Sequence, residues 1–178
     1  ENKTVIDIGG CTGDTAIYFA LRNAKKIISV EPFPKNFEML KKNIESNDLL
    51  DKTKIILAGC GSTKSTIIID PNYASSMRSN LLKFEKGIQI PIMTLEQIIS
   101  DNEDVDMILK MDCEGCEYDT ILNTSVTYFD NIDEMILEYH DGYVNLKNKL
   151  EQIGFQVMLK DVRTTSGLSN GILFAKKH

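Results

Sequence analysis

The chain has 178 residues, a hydrophobic content of 42% and a formal net charge of −6. This length suits one domain with a substantial core, and we expect a single domain over residues 1–178 with a further segment before residue 1. The negative charge argues against a general nucleic-acid binder, which needs a basic surface. No apolar stretch approaches the roughly 18 residues of a membrane-spanning helix, so a cytoplasmic protein is expected.

Apolar segments of strand length alternate with segments of helical periodicity along the chain. We predict strands at 4–8, 26–30, 54–58, 65–69, 88–93, 107–111, 134–139, 155–159 and 171–175. Helices are predicted at 14–23, 34–47, 94–99, 118–122 and 144–153, with turns at 59–61 and a polar lid or insertion at 70–80. This alternation predicts a mainly parallel sheet with helices on both faces.

The first two strands each end at an acid, with a glycine-rich turn between them. Asp7 lies in the first strand, Glu31 follows the second, and Gly9-Gly10-Cys11-Thr12-Gly13 forms the turn. This arrangement suits S-adenosylmethionine. One acid can bind its ammonium group, the other can bind its ribose diol, and the glycines let the backbone approach the ligand closely. The predicted cofactor-binding residues are Asp7, Gly9, Gly10, Cys11, Gly13, Glu31, Pro32, Gly59, Cys60 and Asp112.

A nicotinamide cofactor fits this turn less well. The G-x-G-x-x-G fingerprint counted from Gly9 requires glycines where the chain has Cys11 and Asp14. Asp14 would also place a carboxylate where a pyrophosphate meets a helix N-terminus. An oxidoreductase of the same fold and a non-catalytic cofactor-binding module remain as alternatives.

An acidic segment follows the strand at 107–111. Asp112, Glu114 and Glu117 come after Lys110, and Glu138 and His140 end the next strand. We predict that Asp112 borders the reacting groups and that His140 acts as a general base toward an acceptor hydroxyl. Glu117 is interpreted as an acid at a helix N-terminus. A cation, the lysine or raised pKa values would relieve the repulsion among these acids, and no metal site is predicted.

The four cysteines do not form a complete metal or disulfide pattern. Cys113 and Cys116 have the C-x-x-C spacing of redox and zinc sites, but Cys11 and Cys60 stand alone elsewhere. We therefore interpret the cysteines as small packing residues that need not be paired.

Several segments together resemble the FkbM family of S-adenosylmethionine-dependent methyltransferases. They are Val5–Gly9 with Gly13-Asp14-Thr15, Val30-Glu31-Pro32, Ile108 to Glu117, which is similar to K-I-D-V-E-G-x-E, and the Glu138–His140 pair, which is similar to E-x-H. Cys113 replaces an aliphatic residue of the family. The resemblance implies a Rossmann-like class I methyltransferase fold, with a seven-stranded, mostly parallel sheet whose last strand is antiparallel. It also implies methyl transfer to a hydroxyl of a sugar, glycolipid or natural product. The partner would be a small-molecule or glycan acceptor, and the oligomeric state is left open.

Overall fold

The computed structural model describes residues 2–73, 85–102, 104–165 and 168–177. Its strands are β1 (Thr4–Ile8), β2 (Lys26–Glu31), β3 (Thr53–Leu57), β4 (Gly59–Gly61), β5 (Ser65–Ile69), β6 (Ile88–Thr94), β7 (Met107–Met111), β8 (Ile132–Tyr139), β9 (Phe155–Thr165) and β10 (Leu168–Lys177). Its helices are α1 (Asp14–Leu21), α2 (Pro34–Ser46), α3 (Leu95–Ser100), α4 (Cys116–Asn123) and α5 (Val144–Gln152), with a 3-10 helix at Val126–Asn131.

Seven strands form the main sheet in the order β3-β2-β1-β7-β8-β10-β9. The first five of these are parallel, whereas β10 runs antiparallel to both of its neighbours. This confirms the predicted architecture. The chain order reverses between β1 and β7, and ligands of open α/β sheets bind beyond the carboxyl ends of the strands at such a point.

Alternation along the buried strands supplies a core to each face of the sheet. In β1, Val5 packs with Leu40 and Ile44 of α2, whereas Ile6 and Ile8 belong to the larger cluster with α3, α4 and α5. All five residues of β1 are buried. Because both faces of this central strand are covered, the turn that follows it is held at a fixed place above the sheet.

The structure corrects one predicted turn and extends the terminal hairpin. Gly59–Gly61, predicted as a turn, is strand β4 and pairs in parallel with β6 in a small second sheet. Glycines are poor strand formers, but a Cβ on Gly59 would lie 2.5 Å from Ile92 of β6, so close packing explains the glycine. The hairpin of β9 and β10 is longer than predicted. Its outer half is polar and pairs within the hairpin alone, so it lacks the apolar pattern by which a strand is predicted.

The remaining predicted elements agree with the structure to within a few residues. Thr94 caps α3, its Oγ1 accepting a hydrogen bond from the Gln97 N–H at 3.1 Å. Most of the predicted polar lid, residues 74–80, lies outside the described residues. Of the helices that the structure describes, none has both the length and the apolar character needed to cross a bilayer.

Candidate active site

The glycine turn after β1 packs directly against the turn after β7. The N–H groups of Gly9 and Gly10 both donate to the Val30 carbonyl, at 2.9 and 3.1 Å. Gly9 has a φ of 81°, and a Cβ at this position would lie 1.8 Å from the Asp112 carbonyl oxygen. Only glycine therefore allows the two turns to approach this closely.

Asp7 anchors this turn from below. Its carboxylate is fully buried and lies 3.0 Å from Lys110 Nζ, while Ser29 Oγ donates to it at 3.0 Å. Lys110 also donates to the Gly9 carbonyl at 2.9 Å. Burial disfavours the charged lysine, but Asp7 and then Asp112 outweigh it, so the pKa of Lys110 is raised. Asp7, predicted to hold an ammonium group, is thus committed to an internal ion pair.

Glu31 joins the glycine turn to the start of α2. Its carboxylate accepts hydrogen bonds from the Cys11 N–H at 2.9 Å and the Phe33 N–H at 2.8 Å. The residue is only 3% exposed. Burial raises the pKa of Glu31, although the two backbone hydrogen bonds oppose that shift. Its Oε1 also accepts from Asn36 Nδ2 at 3.5 Å, so Oε2 is the oxygen with capacity left for a further hydrogen bond, such as one from a hydroxyl.

A cavity of about 440 Å³ opens beside the two turns. Four of the predicted cofactor-binding residues line it, namely Gly9, Pro32, Gly59 and Cys60. Much of its wall is aliphatic or aromatic, from β2, β5 and β6 and from Phe33. This size and character are typical of a site for a drug-sized ligand.

The other predicted cofactor-binding residues support the turn or adjoin it. Gly10 packs against the Ser29 and Leu40 side chains, and Gly13 precedes α1 with a φ of 87°. Cys11 has a φ of 46° and gives its N–H to Glu31. Asp112 lies across the turn from Gly9. These residues support the glycine turn or lie next to it, and they are not among the residues that line the cavity.

Cys113 and Cys116 form a disulfide, so the interpretation of these cysteines as unpaired packing residues is wrong. Glu114 and Gly115 have φ values of 59° and 119°, and this turn brings Cys113 back onto the first residue of α4. The Cα atoms of the pair are 5.5 Å apart, a separation that a disulfide spans. Both cysteines line the 440 Å³ cavity. The C-x-x-C spacing was itself the signal for this pairing.

The remaining cysteines carry free thiols. Burial raises the pKa of Cys60 to about 11, and burial together with the nearby Glu31 charge raises the pKa of Cys11. Both thiols therefore stay protonated at neutral pH and act as small side chains of the site.

Glu117 holds the loop between β7 and α4. It lies in the first turn of α4 as predicted, but its carboxylate is fully buried and accepts the N–H groups of Cys113 at 2.7 Å and Gly115 at 2.8 Å. Burial raises its pKa. The sequence predicts only an acid at the start of a helix. The hydrogen bonds that the Glu117 carboxylate accepts from the disulfide loop are seen only in the three-dimensional structure.

A second cavity, of about 230 Å³, lies next to the turn after β7. Asp112 and Glu138 line it together with Thr15, Tyr18 and Phe19 of α1. Asp112 therefore faces this cavity while its neighbour Cys113 faces the first one. The turn after β7 thus contributes residues to both cavities.

His140 joins the acidic group at the end of β8. Its Nε2 lies 3.4 Å from a Glu114 carboxylate oxygen and 3.9 Å from a Glu138 carboxylate oxygen. Ligand atoms of Asp112, Glu114 and His140 all lie within 4.8 Å of one another. Burial, and next the charge of Asp112, raise the pKa of Glu138. The predicted catalytic pair, Asp112 and His140, is thus brought together by the fold.

Tyr118 positions the loop that carries His140. Its hydroxyl accepts the N–H groups of His140 at 3.2 Å and Asp141 at 2.7 Å and donates to the Gly142 carbonyl at 2.8 Å. The sequence predicts Tyr118 only as part of a helix. Its role depends on the packing of α4 beside the end of β8, and no local sequence pattern predicts that packing.

The chain matches the model of a known protein family and superposes on several solved structures. The family model of the methyltransferase FkbM domain matches residues 7–157. No curated protein sequence matches the chain. The solved structure of methyltransferase FkbM from Methylobacillus flagellatus KT superposes with a TM-score of 0.67 at 15% identity, covering 98% of this chain and 43% of that one. The chain thus spans less than half the length of that protein.

Other methyltransferases share the fold. TrmK of M. capricolum, solved with S-adenosylhomocysteine, superposes with a TM-score of 0.59 at 14% identity, covering 99% of this chain and 62% of that one. Precorrin-6y C5,15-methyltransferase from Geobacter metallireducens GS-15 gives a TM-score of 0.58 at 12% identity, covering 99% of this chain and 81% of that one. At these identities the structural likeness shows the fold, whereas the family model covers most of the chain. The chain therefore belongs to the FkbM family of methyltransferases.

Proposed function

We propose that this chain transfers the methyl group of S-adenosylmethionine to a hydroxyl of a small-molecule or glycan acceptor. The observation that carries the proposal is the turn after β7, where Cys113 lines the cavity beside the glycine turn and Asp112 lines the second cavity with Glu138. The acceptor oxygen must contact the methyl carbon directly, on the side opposite the sulfur. We assign the donor to the first cavity and the acceptor to the second, called the acceptor cavity, and the two would meet at the rim of this turn.

S-adenosylmethionine is the cofactor that the family and the S-adenosylhomocysteine-bound neighbour indicate. The 440 Å³ cavity has the volume for it, and Gly59 and Cys60 offer a flat wall for the adenine. Glu31 would receive the ribose hydroxyls, and the turn at Gly9 would accommodate the methionine portion. When bound, the cofactor supplies a methyl group activated by a sulfonium.

Asp112 and His140 lie on the acceptor side of the proposed reaction. Asp112 would orient the hydroxyl toward the methyl group, and His140 would take the proton that the hydroxyl loses as its oxygen bonds to carbon. Most of the rate enhancement would come from alignment and from exclusion of water. Tyr118 would fix the position of the base through the backbone of its loop.

A nicotinamide-dependent oxidoreductase is the competing enzyme class. Asp14 opens α1, so its carboxylate lies where a pyrophosphate would meet that helix. This observation favours the methyl donor. A non-catalytic binding module would use the first cavity alone and would leave the second without a role.

Methyl transfer itself tests the proposal. Purified protein is incubated with S-adenosylmethionine carrying a labelled methyl group and with a panel of hydroxylated sugars, glycolipid precursors and amine-bearing analogues of the same compounds. We expect label to enter hydroxyl-bearing acceptors. Label that enters only the amine analogues would contradict oxygen as the acceptor atom while leaving methyl transfer intact.

A further inference from the structure

We infer that Asp112, Glu114 and His140 form a binding site for one divalent cation, with Glu138 beside it. Their ligand atoms lie within 4.8 Å of one another and come from the ends of two neighbouring strands and from the disulfide loop. Two ligands on opposite sides of one ion, with bonds of about 2.1–2.3 Å, are roughly 4.2–4.6 Å apart. Small side-chain rotations would therefore bring all three onto one ion.

The donor set is one that divalent cations use. Carboxylates suit Mg²⁺ and Mn²⁺, and an imidazole adds preference for the first-row transition metals. The imidazole presents Nε2 to the group, 3.4 Å from a Glu114 carboxylate oxygen, while its Nδ1 is buried and has no hydrogen-bond partner in the part of the chain that the structure describes. His140 is only 14% exposed in its side chain, so this nitrogen is poorly placed for water.

The charges around the site also favour a cation. Three carboxylates, Asp112, Glu114 and Glu138, surround one imidazole, and Lys110 is held by Asp7 at 3.0 Å and by the Gly9 carbonyl. Carboxylates this close repel one another unless a positive charge or a proton lies between them. A divalent ion would neutralise the group more completely than a single proton does.

The disulfide loop places Glu114 for this role. Glu114 lies between Cys113 and Cys116, and the loop is further held by the buried Glu117 carboxylate. A ligand on a loop that is closed at both ends loses little freedom when it binds an ion. The chain thus presents one ligand on a constrained loop and two at strand ends.

The site adjoins the proposed acceptor cavity, which Asp112 and Glu138 line. This part of the inference rests on the proposed function. A bound ion would coordinate the acceptor hydroxyl and lower its pKa, and the proton that leaves would pass to Glu138, the carboxylate outside the ligand set. His140 would then serve as a ligand, whereas in the ion-free protein it would take the proton itself.

Titration with Mn²⁺ alone tests the site. The electron paramagnetic resonance signal of free Mn²⁺ is followed as metal-stripped protein is added, and we expect one saturable Mn²⁺ per chain. Glu114→Gln and Asp112→Asn should each weaken binding by at least about tenfold, the lower limit seen even for outer-shell groups. Glu134→Gln, which changes an exposed acid of the same strand β8 paired with Lys176, should bind as wild type does.

Two results would overturn the inference: no saturable Mn²⁺ binding by the wild-type protein, or equal affinities in wild type and both site variants with the folds verified by circular dichroism. Calorimetric titration of S-adenosylhomocysteine on the same samples separates this outcome from failure of the proposed function. Cofactor binding without Mn²⁺ binding would remove only the cation site. Mn²⁺ binding without cofactor binding would remove the proposed function and keep the site.

Discussion

At Glu31, burial and hydrogen bonding act in opposite directions on one carboxylate. Burial prevails and raises the pKa above the ordinary value of 4.5. A protonated carboxyl offers less acceptor capacity to ribose hydroxyls than the ionised form does. S-adenosylhomocysteine affinity should therefore rise with pH through the raised pKa of Glu31, as the carboxyl loses its proton.

Substitution at this residue checks that account. Glu31→Ala should weaken S-adenosylhomocysteine binding by about 1.5–3 kcal/mol, the value of hydrogen bonds to a charged group. Glu31→Gln should flatten the pH dependence, because the amide does not titrate, while Glu38→Gln on the exposed side of α2 should retain it. Calorimetry at several pH values measures both. Unchanged affinity in Glu31→Ala would remove the residue from the site.

His140 is expected to affect turnover much more than cofactor binding. Its imidazole lies beside Glu114 and Glu138, and His140 is not among the residues that line the first cavity. His140→Ala should lower kcat by roughly 10²–10⁴, the usual contribution of a positioned base. S-adenosylhomocysteine affinity should stay within a factor of about two of wild type. Full turnover in the variant would exclude the residue from the chemistry.

The candidate site residues could be predicted from the sequence where they lie at the carboxyl ends of predicted strands. Asp112 and His140 could be paired because parallel strands bring their carboxyl ends to one edge. The contacts of Asp7 and Tyr118 could not be predicted, since each joins segments distant in sequence. The contacts of Glu117 are local, but they depend on the turn at Glu114 and Gly115. Asp7 has the residue type of a ligand-binding acid, but the buried Lys110 holds it.

At the scale of elements, the closest approach in the site is between the turns after β1 and β7. Gly9→Ala would place a Cβ against the Asp112 carbonyl, whereas Gly154→Ala would meet nothing within 4 Å. Both glycines have a positive φ, 81° and 95°, so the backbone strain of the two substitutions is similar. The difference in stability between the two variants therefore measures the cost of the clash at Gly9.

Gly9→Ala should therefore lower the free energy of unfolding by about 1–3 kcal/mol more than Gly154→Ala does, the usual cost of overpacking. Urea denaturation of the two variants measures the difference. Equal losses would mean that the two turns can separate without cost, and the contact between them would then be looser than the structure indicates.

The disulfide loop gives a second prediction at this scale. Cys113 and Cys116 are paired, whereas Cys11 and Cys60 carry free thiols. A thiol reagent in denaturant should therefore label two cysteines per chain without reductant and four after reduction. Mass spectrometry of protein purified without reductant counts them. Four labelled thiols in the unreduced sample would contradict the pairing.

Helices and strands themselves were largely predictable, because apolar spacing and helix caps are local signals. Strand β4 was not, since Gly59-Cys60-Gly61 has the composition of a turn and becomes a strand only by pairing with β6. The outer half of the terminal hairpin was missed for the same reason. Its residues are polar, and only the partner strand shows that they are extended.

At the scale of the whole molecule, the order of the sheet creates the site. Strands β1 and β7 are neighbours in space although about one hundred residues separate them, and each ends in a turn that borders the first cavity. Alternation of strands and helices predicted the fold class, and the glycine turn predicted the kind of ligand. The second cavity and the grouping of Asp112, Glu114 and His140 depend on how those turns pack, so the structure was required to find them.

The central claim is that the cavity beside the glycine turn binds S-adenosylmethionine. The most direct test is a pair of calorimetric titrations of the same protein, one with S-adenosylhomocysteine and one with the oxidised nicotinamide dinucleotide. The account predicts saturable binding of one S-adenosylhomocysteine per chain, weakened in Glu31→Ala, and no measurable binding of the dinucleotide. Saturable binding of the dinucleotide with none of S-adenosylhomocysteine would contradict it.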